Sequence, residues 1–297
     1  MKIYALILIT LIGCEKTAAD EQPYRINGTM IVDGMRRTYL LNLPPGYYKD
    51  SIQFALVIGL HGLGGSATEF EHDYSFSDKA NSAGFIAVYP EGVPSKGPLE
   101  LRSWNAGNCC DYAMQHNIDD VKYISQLIDR LKANYKINAG KVYVTGMSNG
   151  AMMTYRLACE IPGKIAAIAP VSGTLIVSEP CNPAHSVPIL HIHSAIDTKV
   201  PYYGGTGLAG YYFPPVDSGL HVWSVFNSCT SQPINIQAVD YTLTKWTDNT
   251  GNVMMECYLT DDGGHAWPGG LQSTSGADVP STAINATDVV WDFFQHH

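Results

Sequence analysis

The segment Gly146-Met147-Ser148-Asn149-Gly150 carries the strongest chemical signal in this sequence. It follows an apolar stretch, Lys141 to Thr145, that reads as a strand, and it opens Asn149 to Glu160, which reads as a helix. A serine between two glycines at such a junction matches G-x-S-x-G. The glycines let the chain turn tightly and hold the serine on strained backbone. The hydroxyl then faces solvent at a helix N-terminus, where the dipole favours developing negative charge. That is the setting of a nucleophile. A glycine-serine turn with no catalytic part is the competing reading, and the strand-helix context weighs against it.

A serine needs a base to take its proton, and in this architecture the acid and the histidine follow the serine in that order. Of the ten histidines, His265 lies in the Gly-rich loop Asp262 to Gly269, just after a stretch that reads as a strand. His296 and His297 are terminal. His191 and His193 fall on one face of a strand, which suits buried, hydrogen-bonded rings better than a metal pair without a third ligand. Asp197 leaves the strand Val187 to His193 and is the candidate acid, with the task of fixing the imidazole tautomer. Asp217, Asp240, Asp248 and Asp261 are weaker competitors, Asp217 being explained as a helix N-cap. An oxyanion would be held by the backbone N–H groups of Leu63, in His61-Gly62-Leu63-Gly64-Gly65, and of Asn149. The glycines of that loop are followed by Ser66-Ala67, not by the Gly-Lys-Ser/Thr of a phosphate loop.

These residues need a frame. Met30 to Val32, Asp33-Gly34 and Arg37 to Leu43 read as a hairpin. Phe54 to Leu60, Phe85 to Tyr89 and Ile165 to Val171 are short continuous apolar runs, as in strands buried on both faces. Ala238 to Trp246 and Met254 to Leu259 read as further strands. Ile118 to Tyr135 carries a helical apolar stripe, and Asp217 to Asn227 and Thr282 to Phe294 read as helices. Strands alternating with helices imply an α/β fold: a mainly parallel, twisted sheet with helices on both faces.

The segments HGLGGSATEF, SWNAGNCC, GMSNGAMMTYRLACE, HIHSAIDTKVPY and GGHAWPGG resemble the polyhydroxybutyrate depolymerase and feruloyl esterase-like α/β-hydrolases, the group called carbohydrate esterase family one. The resemblance runs over roughly residues 25 to 296. It implies the α/β-hydrolase fold and a serine ester hydrolase with Ser148 as nucleophile, Asp197 as acid and His265 as base, working without a cofactor or a metal. The substrates it implies are short hydroxyalkanoate or aryl and feruloyl esters, with acetyl esters and synthetic polyesters as alternatives. A peptidase on the same fold and a non-catalytic binding lipoprotein are the rival readings. Many secreted depolymerases of this group add a linker and a substrate-binding domain; the expectation here is a catalytic domain without them, and action on crystalline polymer is not implied.

Trp104, Trp267 and Tyr202 fall in expected loops and are candidate walls for an acyl group or sugar face. The chain of 297 residues carries a formal net charge of −9 and no basic run, which argues against a nucleic-acid partner. Ile3 to Ile12 is too short to span a bilayer and suits a secretory signal. It ends in Leu11-Ile12-Gly13-Cys14, which resembles a bacterial lipobox. The expected organisation is a signal over 1–13, a lipidated tether over 14–23 beginning at Cys14, and a single catalytic domain over 24–297. The protein would then be extracytoplasmic, facing the periplasm or the cell surface, and on the membrane by its lipid only. Of seven cysteines, six then remain for an oxidising compartment. Among the fifteen pairings open to six, the favoured set is Cys159–Cys181, Cys229–Cys257 and a vicinal Cys109–Cys110.

Overall fold

The computed structural model describes residues 23–272 and 275–297. The apolar runs become strands: β1 (Arg25–Val32), β2 (Met35–Asn42), β3 (Phe54–Leu60) and β4 (Ile86–Pro90). Next come β5 (Val93–Pro94), β6 (Arg102–Ser103), β7 (Ile137–Met147), β8 (Ala167–Val171) and β9 (Ile189–Ser194). The last are β10 (Gly205–Thr206), β11 (Tyr212–Phe213), β12 (Ile234–Gln237), β13 (Tyr241–Thr247) and β14 (Val253–Thr260). The helices are α1 (Ala67–Asp73), α2 (Phe76–Ala83), α3 (Asp111–Gln115), α4 (Asp120–Asn134), α5 (Asn149–Glu160), α6 (Val216–Phe226) and α7 (Ala286–Gln295).

Ten strands form one sheet in the order β1-β2-β4-β3-β7-β8-β9-β14-β13-β12. From β4 to β14 every neighbouring pair is parallel, while β1, β2, β13 and β12 pair antiparallel at the two ends. Alternation along the strands splits the core. Leu56, Ile58, Val142, Val144 and Ile168 pack under α4, α5 and α6. Val57, Tyr143, Ala167 and Ala169 pack under α1, α2 and α7. Covered on both faces, these strands are apolar throughout, which is why they were legible as continuous runs. The expected α/β-hydrolase architecture is therefore present.

Boundaries differ where capping or edge position overrides the apolar pattern. The last helix begins at Ala286, not Thr282, because the Asn285 side chain caps it by accepting from the Asp288 N–H at 3.1 Å. Strand β13 begins at Tyr241, not Ala238, because Ala238 N–H bonds the Tyr241 carbonyl and closes a turn. Strand β12 is exposed at all four positions and so carries no burial pattern to read. The expected signal over 1–13 and the lipid site Cys14 lie outside the described residues, as does all of the tether but Pro23. Among the described residues no helix is long and apolar enough to cross a membrane.

Cys159 is bonded to Cys181 and Cys109 to Cys110. The expected Cys229–Cys257 pair is not formed, and both are free thiols. Cys257 is buried on β14 beside Tyr202, whereas Cys229 sits past the end of α6 with its Sγ turned to the Asn227 carbonyl at 3.8 Å. Burial pushes the two thiols up, to about 12 for Cys257 and about 11 for Cys229.

Candidate active site

Ser148, Asp197 and His265 come together at the C-terminal ends of parallel strands, the crevice side of an open α/β sheet. Ser148 follows β7 directly and caps α5, with φ of 56°. Its neighbours must be small. A Cβ on Gly150 would lie 2.1 Å from the Leu60 carbonyl oxygen, and one on Gly146 would lie 2.5 Å from the backbone of Gly150. The elbow is thus wedged against β3.

His265 Nε2 lies 2.8 Å from Ser148 Oγ, and its Nδ1 lies 2.7 Å from Asp197 Oδ2. The carboxylate only accepts, so Nδ1 carries the hydrogen and Nε2 is free to accept the serine proton. Asp197 Oδ1 accepts the Lys199 and Val200 N–H groups at 2.8 and 2.9 Å. Burial alone would push this carboxyl up. Hydrogen bonds from His193 and His265 outweigh that and hold it well below the usual carboxylate range.

The loop bearing His265 is held by two other carboxylates. Asp278 accepts the His265 N–H at 2.8 Å and faces Lys199 at 3.5 Å. Asp262 accepts from the Ser281 hydroxyl and from the Thr282 N–H. The Asp262 carbonyl in turn accepts the Ser194 and Thr260 hydroxyls, both at 3.1 Å, tying the loop to β9 and β14.

The Gly62–Leu63 peptide lies beside Ser148; a Cβ on Gly62 would sit 3.5 Å from the Ser148 Cβ. His61 orients it. Its Nε2 accepts the Gly92 N–H at 3.0 Å, so Nδ1 holds the ring hydrogen and donates to the Gly62 carbonyl at 2.7 Å. With that carbonyl turned to His61, the Leu63 N–H of the same peptide points the opposite way, and it has no acceptor among the described residues. Burial lowers His61 to about 4, in keeping with a neutral ring. Asn149 is the first residue of α5, so its N–H has no partner within the helix. Its side chain clamps Trp104 twice, accepting the Trp104 N–H at 2.7 Å and donating to the Trp104 carbonyl at 3.0 Å.

A cavity of about 240 Å³ opens onto the serine, lined by Leu63, Tyr74, Met147, Leu208, Trp267 and Leu271 among others. Trp267 is in this wall, stacked on Tyr74 at 4.6 Å with its Nε1 donating to Thr287. Trp104 and Tyr202 are not, contrary to expectation. The Trp104 indole is fully buried behind the Gly62–Leu63 loop, where Nε1 donates to the His61 carbonyl at 3.0 Å. Tyr202 is turned inward and donates to Asp217 at 2.6 Å. Asp217 lies in the first turn of α6 rather than at its cap, which is Pro215.

Three further polar lining residues, Glu69, Lys199 and Asp278, are not among the expected site residues. Burial and the neighbouring Asp73 push the Glu69 carboxyl up. Lys199 could have been found, since it lies two residues past Asp197 on the same strand exit. Glu69, from a short polar helix, and Asp278, from a Gly- and Ser-rich loop, carry no local signal.

A mainly parallel sheet covered on both faces, with a serine at a strand-helix elbow, defines the α/β-hydrolase class. The family model for phospholipase/carboxylesterase matches residues 48–214, more than half the chain. The protein belongs to that family, and so to the serine-hydrolase type of esterases. It is 27% identical over 238 residues to a bifunctional acetylxylan esterase/xylanase of Neocallimastix patriciarum, a match covering 80% of this chain and 30% of that protein. The chain thus spans under a third of that relative's length. It is 26% identical over 289 residues to feruloyl esterase C of Emericella nidulans, covering 95% of this chain and 92% of that one. An acetyl xylan esterase structure from Aspergillus awamori shares the fold, with a TM-score of 0.61 at 17% identity over 88% of this chain and 94% of that chain.

Proposed function

We propose that this protein hydrolyses carboxylic esters through an acyl-enzyme on Ser148. The supporting observation is the unbroken line Ser148 Oγ–His265 Nε2, His265 Nδ1–Asp197 Oδ2, at 2.8 and 2.7 Å. His265 accepts the serine proton as Oγ attacks the carbonyl carbon. The tetrahedral oxygen is held by the N–H groups of Leu63 and Asn149, which have no acceptor among the described residues. The imidazolium, steadied by Asp197, then protonates the leaving alcohol. Water, deprotonated by His265, attacks the acyl carbon and releases the acid.

The substrates that fit this reading are esters of short hydroxyalkanoic or aryl acids, with acetylated glycans as the alternative. A cavity of about 240 Å³ suits a small acyl group, and its wall combines Trp267 and Tyr74 with the polar Glu69 and Lys199. Residues 24–297 would form the catalytic domain, held outside the cytoplasm by a lipid on Cys14. The Cys159–Cys181 bond suits an oxidising compartment.

Hydrolysis of p-nitrophenyl butyrate by the purified protein and by Ser148→Ala tests the mechanism. The variant should lose about 10³-fold or more in turnover. Undiminished turnover would sink it. Ethyl ferulate, acetylated xylan and a hydroxybutyrate trimer, with products identified by mass, then rank the substrate classes.

A further inference from the structure

Behind Asp197 runs a second line of buried polar groups that the proposed mechanism does not use. Tyr155, on α5, has its hydroxyl 2.9 Å from His191 Nδ1. His191 Nε2 lies 3.1 Å from His193 Nδ1. His193 Nε2 lies 2.8 Å from the Val200 carbonyl and 3.3 Å from Asp197 Oδ2. Both histidines are completely buried on β9, with their rings stacked 5.3 Å apart.

The chemistry of the partners fixes the direction of this line. The Val200 carbonyl and the Asp197 carboxylate only accept, so His193 Nε2 must carry a hydrogen. With one hydrogen per ring, His193 Nδ1 is bare and accepts from His191 Nε2–H. His191 Nδ1 is then bare as well and accepts from the Tyr155 hydroxyl. Every donor has an acceptor, and the line ends on the Val200 carbonyl, with the carboxylate oxygen that receives His265 Nδ1–H 3.3 Å from the same His193 nitrogen. Burial and the neighbouring His193 hold His191 well below the usual histidine range, in keeping with an uncharged ring. Tyr202 packs edge-on to His193 at 5.6 Å, but its hydroxyl is spent on Asp217. The thiol of Cys257 lies next to Tyr202, and burial keeps it protonated.

Core histidines are costly to bury unless their nitrogens are satisfied, and an apolar pair would fill the same space without that demand. The demand is met here in one orientation only, with the His193 Nε2–H on the Val200 carbonyl and the same nitrogen 3.3 Å from Asp197 Oδ2. We propose that His193 is a positioning residue for the acid of the Ser148–His265–Asp197 line, with His191 and Tyr155 locking its tautomer. The inference rests on the catalytic reading above. His193 approaches Oδ2 beside His265, and backbone N–H groups hold Oδ1, so the carboxylate cannot rotate. Sharing Oδ2 also tempers the pull of Asp197 on the His265 imidazolium.

The test compares His193→Leu, which removes the donor, with His193→Gln, whose Nε2 amide can occupy the place of the ring Nε2. Rates are taken per active site titrated with a fluorophosphonate. His193→Leu should lose about 10- to 100-fold in kcat with KM little changed, the rate equivalent of one hydrogen bond to a charged group. The acid limb of its kcat/KM profile should move to higher pH, because Asp197, relieved of one donor, holds the His265 proton more tightly. His193→Gln should restore most of kcat and return the limb. Equal losses in both variants with an unmoved limb would reduce His193 to core packing and overturn the inference. Should His193→Leu fail to fold, Tyr155→Phe reads the same line from its far end. It should give a smaller loss of kcat with the limb displaced the same way, and an unchanged profile overturns the proposal. Ser148→Ala, whose rate is taken per mole of protein because it has no serine to titrate, keeps the two readings apart. If it is inactive while the His193 variants behave as wild type, only the positioning role falls. If it is active, the catalytic reading itself falls.

Discussion

The two arms that meet at the site are built on different physics. The serine arm is steric. Gly150 lies so close to the Leu60 carbonyl, and Gly146 so close to Gly150, that neither place has room for a side chain. Its polar contacts are neutral and buried: His61 on Gly62 and Gly92, Asn149 on Trp104. The histidine arm is ionic. His265 hangs on a half-exposed loop whose shape depends on what Asp262, Asp278 and Asp197 accept. The first arm should therefore fail by volume and the second by charge.

The largest expected effect breaks the steric arm. Gly150→Ala places a methyl group 2.1 Å from a carbonyl oxygen of β3, a contact only backbone movement can relieve. Displacing the elbow by an ångström should cost about 100-fold in kcat/KM for p-nitrophenyl butyrate. The loss should be the same at pH 6 and pH 8, since no titrating group is involved. A variant with wild-type activity would show that the elbow is not wedged.

The same contrast explains what could be read from the sequence. Steric demands write local signals. The glycines around Ser148, and the apolar runs of β3, β4 and β8, are each contained in a few consecutive residues. Asp197 and His265 are legible as candidates because each closely follows the end of a strand, β9 or β14. The ionic supports are not. Asp278 meets the His265 backbone from thirteen positions further along the chain, and Glu69 reaches the cavity from a separate helix. Trp104 departs from expectation for a related reason. Its place in a loop suggests exposure, but its indole N–H is used on the His61 carbonyl and its backbone on Asn149, so it packs behind the Gly62–Leu63 loop. The free Cys257 belongs here too: it lies on β14 beside Tyr202 while Cys229 lies past α6 against the Asn227 carbonyl, placements that sequence spacing does not encode.

A smaller effect sharpens the comparison from the steric side. His61 is buried and lowered to about 4, against an ordinary value near 6.5. A folded-state value below the unfolded one gives stability that is fully present above about pH 6.5 and is lost as pH falls towards 4. Between pH 7 and pH 5 the loss should be about 2 kcal/mol, read as a lower urea midpoint with unchanged slope. His61→Gln should flatten that dependence, since the amide can accept from Gly92 without titrating. If the variant keeps the full pH dependence, His61 is not its source.

The smallest expected effect tests the ionic arm. Burial would push Asp262 up, but the Ser281 and Thr282 hydrogen bonds outweigh it and hold the carboxyl below the usual range. Its contribution is therefore present above the ordinary carboxylate range and disappears as pH falls through the lowered folded value. Asp262→Asn keeps the shape but turns one acceptor oxygen into a donor, facing either the Ser281 hydroxyl or the Thr282 N–H. The loss should be about 1 kcal/mol of stability, the scale of one hydrogen bond. Activity should fall with it, because the Asp262 side chain holds Ser281 and Thr282 beside the loop that carries His265. The informative readout is the pair of effects together. If the loop is the weak arm, Asp262→Asn raises proteolytic nicking within 261–283 while fluorophosphonate labelling of Ser148 slows in proportion. Slower labelling with an unchanged nicking pattern would mean that the charge acts on His265 directly, and the division into a steric and an ionic arm would then have to be redrawn at that loop.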